Sequence, residues 1–240
     1  MGDRVRIYEV GPRDGLQNEA TAILLETKLG FIERLVAAGL REIEATSFVS
    51  AKAIPQLADA DQLLPRLVEL KAARPAAPSG GTAPIRYPVL VPNERGMARA
   101  ETAGASALAV FTAATDAFTQ HNIGMTIDES LAAVEPVLRR AADLGWWRRG
   151  YVSTAFGCPY TGAVDPHRAV AVAMRLLELG VDEVCFGDTI GVGVPDQVSA
   201  LTDAATGAGI ELRQIAYHFH DTRGTALANV VAGLDAGIRC

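Results

Sequence analysis

Short apolar runs alternate with longer stretches of helical period along the whole chain, and this alternation constrains the fold more than any other feature. The runs are rich in β-branched residues, whereas the stretches between them carry apolar residues at helical spacing. Strands that alternate with helices form a parallel sheet, because each helix returns the chain to the same end of the sheet. The predicted strands are Val5–Val10, Glu42–Phe48, Arg86–Val91, Ala107–Thr112, Arg149–Ala155, Glu183–Asp188 and Ile215–His220. The predicted helices are Thr27–Ala38, Asp59–Ala73, Asn93–Ala103, Ile127–Leu144, Asp165–Leu179, Pro195–Thr206 and Thr222–Ala236.

These strand–helix units predict an α/β protein, a TIM (β/α)8 barrel. The chain has 240 residues, and one such barrel takes roughly 250. After the last predicted helix, Gly237-Ile238-Arg239-Cys240 has the pattern of an eighth strand's opening, and the sequence stops there. We therefore expect a single barrel domain over residues 1–240, truncated within strand eight. The segment Arg74–Pro84, rich in Pro, Ala, Gly and Ser, is expected to be a flexible loop insertion at the N-terminal end of the barrel.

The composition excludes several classes of protein. With 49% hydrophobic and 21% charged residues, the chain is neither disordered nor collagen-like. Its net charge of −6 argues against nucleic acid as a partner, because proteins that bind nucleic acid usually carry a basic face. No apolar run reaches the ~20 residues of a membrane span and no apolar signal core opens the chain, so we expect no membrane partner. Three cysteines are too few for a disulfide framework, and a reducing, cytoplasmic location is expected.

The sharpest chemical feature is the pair His218 and His220 at the end of the last predicted strand. Alternation along a strand puts both imidazoles on one face, and the carboxyl ends of barrel strands build the active site. Asp14 follows the first strand at the same end. Two imidazoles and a carboxylate suit a divalent metal ion. The alternative is a pair of hydrogen-bonded histidines without a metal.

Two further charged residues are candidates for chemistry. Arg13 precedes Asp14, and its guanidinium suits negative charge that develops on an oxygen; the alternative is a surface turn with an ion pair. Glu44 lies in an apolar strand, where a charged residue is rarely buried without a partner. It is interpreted as a residue that orients the ligands and Arg13, as a general base, or as half of a structural ion pair.

Other features carry less weight. The segment Gly191-Val192-Gly193 lacks both nucleotide-binding fingerprints and is interpreted as a turn. Cys158 has no histidine near it in the sequence, which disfavours a nucleophilic thiol. His121 is predicted in a polar loop and His167 in the first turn of a helix. Schiff-base chemistry needs a lysine at a strand end. No lysine is predicted there, because Lys28, Lys52 and Lys71 lie in predicted helices or a loop.

Several motifs follow one another in a fixed order along the chain. They are Glu9-Val10-Gly11-Pro12-Arg13-Asp14-Gly15-Leu16-Gln17-Asn18-Glu19, Ile43-Glu44-Ala45-Thr46-Ser47-Phe48-Val49-Ser50, Tyr87-Pro88-Val89-Leu90-Val91-Pro92-Asn93, Gly150-Tyr151-Val152-Ser153 with Gly157-Cys158-Pro159-Tyr160, Gly187-Asp188-Thr189-Ile190-Gly191-Val192-Gly193, and His218-Phe219-His220-Asp221-Thr222. Together they resemble the 3-hydroxy-3-methylglutaryl-CoA lyase family. Arg-Asp-Gly and His-x-His alone would indicate only the wider superfamily of metal-dependent lyases and Claisen-type synthases. The Gly-Leu-Gln-Asn-Glu and Ser-Phe-Val-Ser elements are similar to the lyase branch.

The resemblance implies an enzyme that cleaves 3-hydroxy-3-methylglutaryl-CoA to acetyl-CoA and acetoacetate, in leucine degradation and ketone-body formation. It implies Mg²⁺ or Mn²⁺ held by Asp14, His218 and His220, with the ion chelating substrate oxygens. The implied catalytic residues are Arg13, Glu44 and Asp188, and the implied substrate contacts are Arg13, Gln17 and Ser47.

The chain departs from the family at its C-terminal end. Family members continue beyond strand eight with a Gly-rich loop that carries a catalytic cysteine, and with an asparagine metal ligand. Neither is present here, and the two strand edges of an open barrel invite pairing with another chain, as in a homodimer. Three alternatives remain: a lyase for a related acyl-CoA such as citramalyl-CoA, a Claisen-condensing synthase of the 2-isopropylmalate or homocitrate type, and an inactive fragment.

Overall fold

The computed structural model describes residues 4–73 and 84–240. Within them the chain divides into two compact units. The N-terminal unit comprises Ile7–Ala109 and Asp143–Trp147, and the C-terminal unit comprises Val110–Ala142, Arg148–Cys240 and the residues up to Arg6. The loop predicted at 74–84 lies outside the described residues except for Pro84, so its flexibility stays a prediction, as does the single catalytic domain.

Parallel strands and helices alternate in the N-terminal unit. Its strands are β1 (Tyr8–Glu9), β2 (Glu42–Ile43), β3 (Thr46–Ser47), β4 (Val89–Leu90) and the first residues of β5 (Ala107–Ala113). Strand β1 pairs with β2, β3 with β4 and β4 with β5, all in parallel. Its helical elements are a π-helical turn (Gly11–Gly15), α1 (Leu25–Ala37), a 3-10 turn (Pro55–Leu57), α2 (Ala60–Ala72) and α3 (Glu94–Thr102).

The C-terminal unit continues the same alternation. Its strands are β6 (Trp147–Ser153), the short antiparallel pair β7 (Gly157–Cys158) and β8 (Gly162–Ala163), β9 (Glu183–Asp188) and β10 (Ile215–Phe219). Strand β9 pairs in parallel with both β6 and β10. Its helices are α4 (Asp116–Ile123), α5 (Ile127–Asp143), α6 (Pro166–Glu178), α7 (Pro195–Gly207) and α8 (Ala226–Asp235), with a 3-10 turn at Leu212–Gln214.

The apolar pattern explains these elements. In α5, Leu131, Val134, Leu138 and Ala141 recur at helical spacing and are all buried. Strand β9 is buried at nearly every position, as expected where helices cover a parallel sheet. Four glycines that follow helices have φ between 68° and 92°, the left-handed conformation in which helices commonly end: Gly104, Gly145, Gly180 and Gly237. Among the described residues, no helix combines the length and apolar character that a membrane span requires.

The second predicted strand, Glu42–Phe48, is wrong as one element. It is divided into β2 and β3 because the chain changes its hydrogen-bonding partner in the middle. The Glu44 amide donates to the Glu9 carbonyl at 2.8 Å, whereas the next amide, Ala45, donates to the Pro88 carbonyl at 3.0 Å. The predicted first and third strands are likewise reduced to β1 and β4.

Two elements of the C-terminal unit were missed. Helix α4 lies where a polar loop was predicted, so the placement of His121 is corrected. Its sequence has little apolar periodicity, and the helix begins instead at a cap in which Thr115 Oγ1 accepts from the Phe118 amide at 3.3 Å. The β7–β8 hairpin was also missed, because its strands have two residues each.

The predicted opening of an eighth strand at 237–240 is not assigned as a strand: Gly237, with a φ of 92°, belongs to the turn that ends α8, and residues 238–240 follow that turn. The Arg239 carbonyl accepts from the Arg6 amide at 2.8 Å, and the Cys240 carbonyl accepts from the Tyr217 amide at 3.1 Å. Ile238 between them is buried. The segment therefore has backbone partners on both of its sides, within the C-terminal unit.

Candidate active site

A π-helical turn directly after β1 presents Arg13 and Asp14. The Val10 carbonyl accepts from the Arg13 amide at 3.0 Å and from the Asp14 amide at 2.7 Å. At the start of the turn, the Gly11 amide donates to Glu9 Oε1 at 2.6 Å. A Cβ at Gly11 would lie 2.8 Å from that oxygen, so a larger residue here would displace the Glu9 carboxylate.

Arg13 and Glu44 form a buried ion pair at the base of this turn. The Arg13 residue is 7% exposed and Glu44 is 0% exposed. Arg13 Nε donates to Glu44 Oε1, and Tyr8 Oη donates to Glu44 Oε2 at 2.8 Å. Glu44 therefore neutralises Arg13 and fixes the plane of its guanidinium group.

Asp14 is held from two directions. Arg13 Nη1 donates to Asp14 Oδ1 at 2.6 Å, and Gln17 Nε2 donates to the same oxygen at 3.1 Å. Gln17, predicted as a substrate contact, thus orients Asp14. Ser47, predicted in the same role, is buried, and its Oγ donates to the Leu90 carbonyl at 3.2 Å and accepts from the Val49 amide at 3.3 Å. Its hydroxyl is committed to the backbone in this conformation.

In the C-terminal unit, the two histidines lie side by side at the end of β10. Their ring centroids are 4.6 Å apart and the rings are inclined by 28°. The residues of the other face, Tyr217 and Phe219, contact Phe156 with centroid distances of 6.0 and 5.7 Å, so the predicted alternation is confirmed. The His220 Nδ1 lies 2.9 Å from the Asp188 carbonyl oxygen. A carbonyl only accepts, so Nδ1 carries a proton, and in the neutral imidazole the lone pair that a metal ion needs is then on Nε2.

The carboxylate of Asp188 is buried, and each of its oxygens accepts a backbone amide of the glycine-rich segment that follows it. Oδ1 accepts from the Val192 amide and Oδ2 from the Gly193 amide, both at 2.9 Å. The Gly193 carbonyl in turn accepts from Thr225 Oγ1 and Asn229 Nδ2, both at 3.0 Å. The Gly191-Val192-Gly193 segment is a turn, as interpreted, and Asp188 is what holds it.

Sequence reasoning missed Thr225 and Asn229. Asn229 is fully buried in α8, and its Oδ1 has no hydrogen-bond partner among the described residues. The one signal for it was a polar residue within the apolar run Ala226-Leu227-Ala228-Asn229-Val230-Val231. Such a residue is rarely buried without a structural task.

The Cys158 thiol is buried in β7 and accepts a hydrogen bond from Thr115 Oγ1 at 3.2 Å. Burial, the largest single effect, raises the pKa of this thiol, but hydrogen bonds from Thr115 and Thr161 and from the backbone at Tyr160 and Thr161 together lower the pKa below its usual value. These hydrogen bonds favour the thiolate form of Cys158, and no histidine is among the hydrogen-bond partners named here.

The predicted residues therefore form two groups, each within one unit. Arg13, Asp14, Gln17 and Glu44 are connected in the N-terminal unit, and Asp188 is connected to His220 beside His218 in the C-terminal unit. Ser47 contacts only the backbone among the hydrogen bonds described above. The joint metal site of Asp14, His218 and His220 remains a prediction.

Comparison with known proteins gives one consistent result. The HMGL-like family model matches residues 4–240. A hydroxymethylglutaryl-CoA lyase of Pseudomonas mevalonii is 44% identical over 235 residues, which are 98% of this chain and 74% of that protein. The chain spans between 47% and 74% of the length of the curated relatives. Some of these relatives are named as cytoplasmic and others as mitochondrial.

Solved structures agree. The crystal structure of an HMG-CoA lyase from Brucella melitensis has a TM-score of 0.89 and 41% identity, and the match covers 99% of this chain and 80% of that chain. An HMG-CoA lyase from Acinetobacter baumannii in complex with coenzyme A and 3-methylmalate has a TM-score of 0.87 and 32% identity, over 98% of this chain and 73% of that one. These matches confirm the predicted α/β class and the TIM (β/α)8 barrel type.

Proposed function

Because the chain belongs to the HMGL-like family, we propose that it cleaves 3-hydroxy-3-methylglutaryl-CoA to acetyl-CoA and acetoacetate. The observation that carries the proposal is 44% identity to a hydroxymethylglutaryl-CoA lyase over 98% of the chain. In this reaction the substrate hydroxyl loses its proton, the C2–C3 bond breaks, and the electron pair passes to the enolate of acetyl-CoA. The enolate then takes up a proton, and acetoacetate is released.

We propose that Asp14, His218 and His220 hold the Mg²⁺ or Mn²⁺ ion. One carboxylate and two neutral imidazoles match the ligand preferences of such ions. The hydrogen bond from His220 to the Asp188 carbonyl supports this, because it fixes the imidazole in the metal-binding tautomer. The bound ion would polarise the substrate oxygens and favour loss of the hydroxyl proton.

Arg13 is proposed to stabilise the enolate oxygen of the leaving acetyl-CoA. Its burial strengthens this interaction, because charge is weakly screened where water is excluded. Glu44 sets the orientation of Arg13, and Gln17 sets that of Asp14. Both are therefore proposed as positioning residues.

Asp188 is proposed to act through the structure around it. Both of its carboxylate oxygens accept backbone amides and the residue is fully buried, so its carboxylate is committed to the 190–193 turn. Its carbonyl orients His220. A catalytic role for the carboxylate and a substrate role for Ser47 stay predictions, as do the cytoplasmic location, the homodimer and the metabolic pathways named above.

A lyase for a related acyl-CoA is the second candidate. The supporting observation is the relative at 32% identity, which was solved with coenzyme A and 3-methylmalate. A branched hydroxy acid of that kind differs from the hydroxymethylglutaryl group in its carbon chain, so the two candidates share their chemistry and differ in the acyl pocket.

The test is release of acetoacetate from 3-hydroxy-3-methylglutaryl-CoA with Mg²⁺, with and without a chelator. Citramalyl-CoA, and acetyl-CoA with a 2-oxo acid, are assayed in parallel. Chelator-sensitive acetoacetate release supports the proposal, whereas turnover of only one of the other substrate sets replaces it. If no substrate is turned over but Mn²⁺ binds, the chain is a fragment that keeps its metal site without catalysis.

The metal ligands are tested by Mn²⁺ titration calorimetry. His220→Ala should abolish Mn²⁺ binding and leave the far-ultraviolet circular dichroism spectrum unchanged. The control is His121→Ala, which removes an imidazole from α4, where Nδ1 lies 2.7 Å from the Ala117 carbonyl oxygen. Unchanged Mn²⁺ affinity in His220→Ala would show that the ligand assignment is wrong.

A further inference from the structure

A cavity of about 340 Å³ opens in the C-terminal unit between the β7–β8 hairpin, the turn after β9 and the loop after β10. We call it the hairpin cavity. Its walls are mostly apolar and include Phe156, Ile190 and Val192, and its polar lining comes from Cys158, Gln197 and Arg223. Its volume is at the lower end of the about 300–1,000 Å³ typical of small-molecule sites. It therefore suits part of a large substrate.

The close packing of its walls requires glycine. A Cβ on Gly157 would meet Val192 Cγ2 at 2.7 Å, so the hairpin can approach the turn after β9 only because this position is glycine. Gly162 has a φ of 77°, a conformation that favours glycine in the return of the hairpin.

Arg223 is the feature that gives the hairpin cavity a preference for one charge. Within residues 4–73 and 84–240 its exposed guanidinium makes no hydrogen bond or ion pair. Other arginines of the C-terminal unit are paired with carboxylates: Arg148 with Asp182, Arg149 with Glu183, Arg175 with Asp128, and Arg213 with Glu211. A cation without a partner beside apolar walls favours an anionic group on an otherwise apolar body.

A second polar group lines the same cavity. Gln197 Oε1 accepts from the Val194 amide at 3.1 Å, which orients the side-chain amide and leaves its NH₂ group as the donating end. Two side chains of the lining, Gln197 and Arg223, therefore offer N–H donors. Donors alone, without a lining carboxylate, match an acceptor such as a carboxylate or a phosphate.

The hairpin cavity is lined by segments that begin within a few residues of His220 and of Asp188, whose carbonyl orients His220. Ile190 and Val192 follow Asp188 by two and four residues, and Arg223 follows His220 by three. All of these segments leave the carboxyl ends of β9 and β10. A substrate bound at His220 could therefore reach the hairpin cavity with a part that does not react.

We propose that the hairpin cavity binds a non-reacting, anionic part of the acyl-CoA substrate, with Arg223 as its counter-charge. The inference rests on the proposed function and extends it to substrate recognition. An acyl-CoA of this class has two sources of such an anion, the free carboxylate of the acyl group and the phosphates of coenzyme A. Binding of either anion would use interactions with a remote part of the substrate to hold the reacting part in position.

The test uses a matched pair of thioesters that bind but are not cleaved. 3-Methylglutaryl-CoA lacks the hydroxyl from which cleavage begins, and 3-methylbutyryl-CoA lacks the free carboxylate as well. Dissociation constants are measured by calorimetry for the unmodified protein, Arg223→Ala and Arg223→Lys. The control is Arg213→Ala, which removes an equal charge at the opposite end of β10. The pantetheine thioester of 3-methylglutarate, which has no phosphates, completes the set.

Arg223→Ala should raise the dissociation constant of 3-methylglutaryl-CoA about tenfold. This is the lower end of the range for a hydrogen bond to a charged group, and we expect the lower end because the guanidinium is exposed. Arg223→Lys should recover part of this loss, and Arg213→Ala should show none. If 3-methylbutyryl-CoA is unaffected by Arg223→Ala, the anion is the acyl carboxylate. If Arg223→Ala weakens binding of both CoA thioesters equally and leaves binding of the pantetheine thioester unchanged, the anion is a phosphate of coenzyme A.

A second variant tests the apolar part of the hairpin cavity. Ala163 lies in β8 on its lining and is exposed, so Ala163→Phe fills the space without disturbing the core. It should weaken 3-methylglutaryl-CoA at least as much as Arg223→Ala does. Dissociation constants within twofold of the unmodified protein in both variants would overturn the inference. Absence of all thioester binding in the unmodified protein would instead count against the proposed function.

Discussion

Replacing Glu44 by Gln should destabilise the N-terminal unit and weaken metal binding at the same time. The substitution keeps the shape of the side chain, but it removes the charge that balances Arg13 and replaces one accepting oxygen by a donating NH₂ group. Both residues are buried, at 0% and 7% exposure. After the change, the Arg13 guanidinium keeps an ion pair with the Asp14 carboxylate, whose Oδ1 lies 2.6 Å from Arg13 Nη1.

The magnitude follows from the burial of the pair. Removing one partner of a buried ion pair costs about 3–5 kcal/mol, since the other charge is left without compensation in a medium of low polarity. Asp14 still compensates Arg13 in part, so we expect the lower end, about 3 kcal/mol. For a chain of this size that corresponds to a fall in Tm of about 6–12 °C. Mn²⁺ affinity should also fall, because Arg13 then competes more strongly with the cation for Asp14.

The assay is urea unfolding followed by circular dichroism and by tryptophan fluorescence, together with Mn²⁺ calorimetry. The control is Glu26→Gln, which breaks an exposed Arg–Glu pair of the same unit. Arg66 and Glu26 are 48% and 72% exposed, and such pairs contribute about 0–1 kcal/mol.

The double variant Arg13→Met with Glu44→Met provides a second comparison. Apolar side chains of similar volume often replace a buried ion pair without loss of stability, so the double variant should be more stable than Glu44→Gln, and it should be inactive. The reasoning is refuted if Glu44→Gln costs no more than Glu26→Gln. It is refuted equally if the stability falls as expected while Mn²⁺ affinity is unchanged.

Three further changes have expected outcomes. Arg13→Gln should lower kcat for acetoacetate release by several orders of magnitude while Mn²⁺ affinity is retained; near-normal turnover would remove Arg13 from the mechanism. Thr115→Val should raise the pKa of Cys158, because it removes a hydrogen bond that lowers this pKa, so the alkylation rate of Cys158 should rise at higher pH than before, whereas Thr115→Ser should behave as the unmodified protein. Burial raises the pKa of Tyr217 above its unfolded value; its contribution to stability is therefore complete below about pH 10 and is lost as the pH rises beyond that, and Tyr217→Phe should flatten the alkaline part of the curve of unfolding free energy against pH.

The alternation of apolar runs and helical stretches was sufficient to predict the barrel type, because both signals extend over many residues. The boundaries of β9 were predicted without error, and those of α1, α2, α3, α5, α6 and α7 within a residue or two. Helix α8 begins at Ala226 rather than Thr222, since a turn closed by the Gly224 amide and the Asp221 carbonyl intervenes. Apolar periodicity carries no information about such a turn.

The candidate site was predictable in its residue types and less so in its contacts. Arg13 and Glu44 were expected to interact, and they do, because a charge in an apolar strand needs a partner. Gln17, Thr225 and Asn229 act through side chains and backbone groups that are distant in sequence or set by a turn. The π-helical turn that brings Arg13 and Asp14 into place has no sequence signal beyond a proline and two glycines.

Glu44 and Asp188 show how two buried carboxylates in similar strand positions can have different tasks. Glu44 accepts hydrogen bonds from side chains, so the loss of its charge directly affects the guanidinium of Arg13. Asp188 accepts hydrogen bonds from two backbone amides, so the loss of its charge weakens the turn at 191–193. Because Val192 lines the hairpin cavity, the change also reaches that cavity. Asp188→Asn replaces one accepting oxygen by a donor that faces an amide, which leaves a buried donor without an acceptor. It should therefore weaken acyl-CoA binding at the hairpin cavity as well as Mn²⁺ binding at His220. Glu44→Gln should weaken Mn²⁺ binding but not acyl-CoA binding at the hairpin cavity. Calorimetry with the thioesters on the two variants therefore separates the role of Glu44 from that of Asp188.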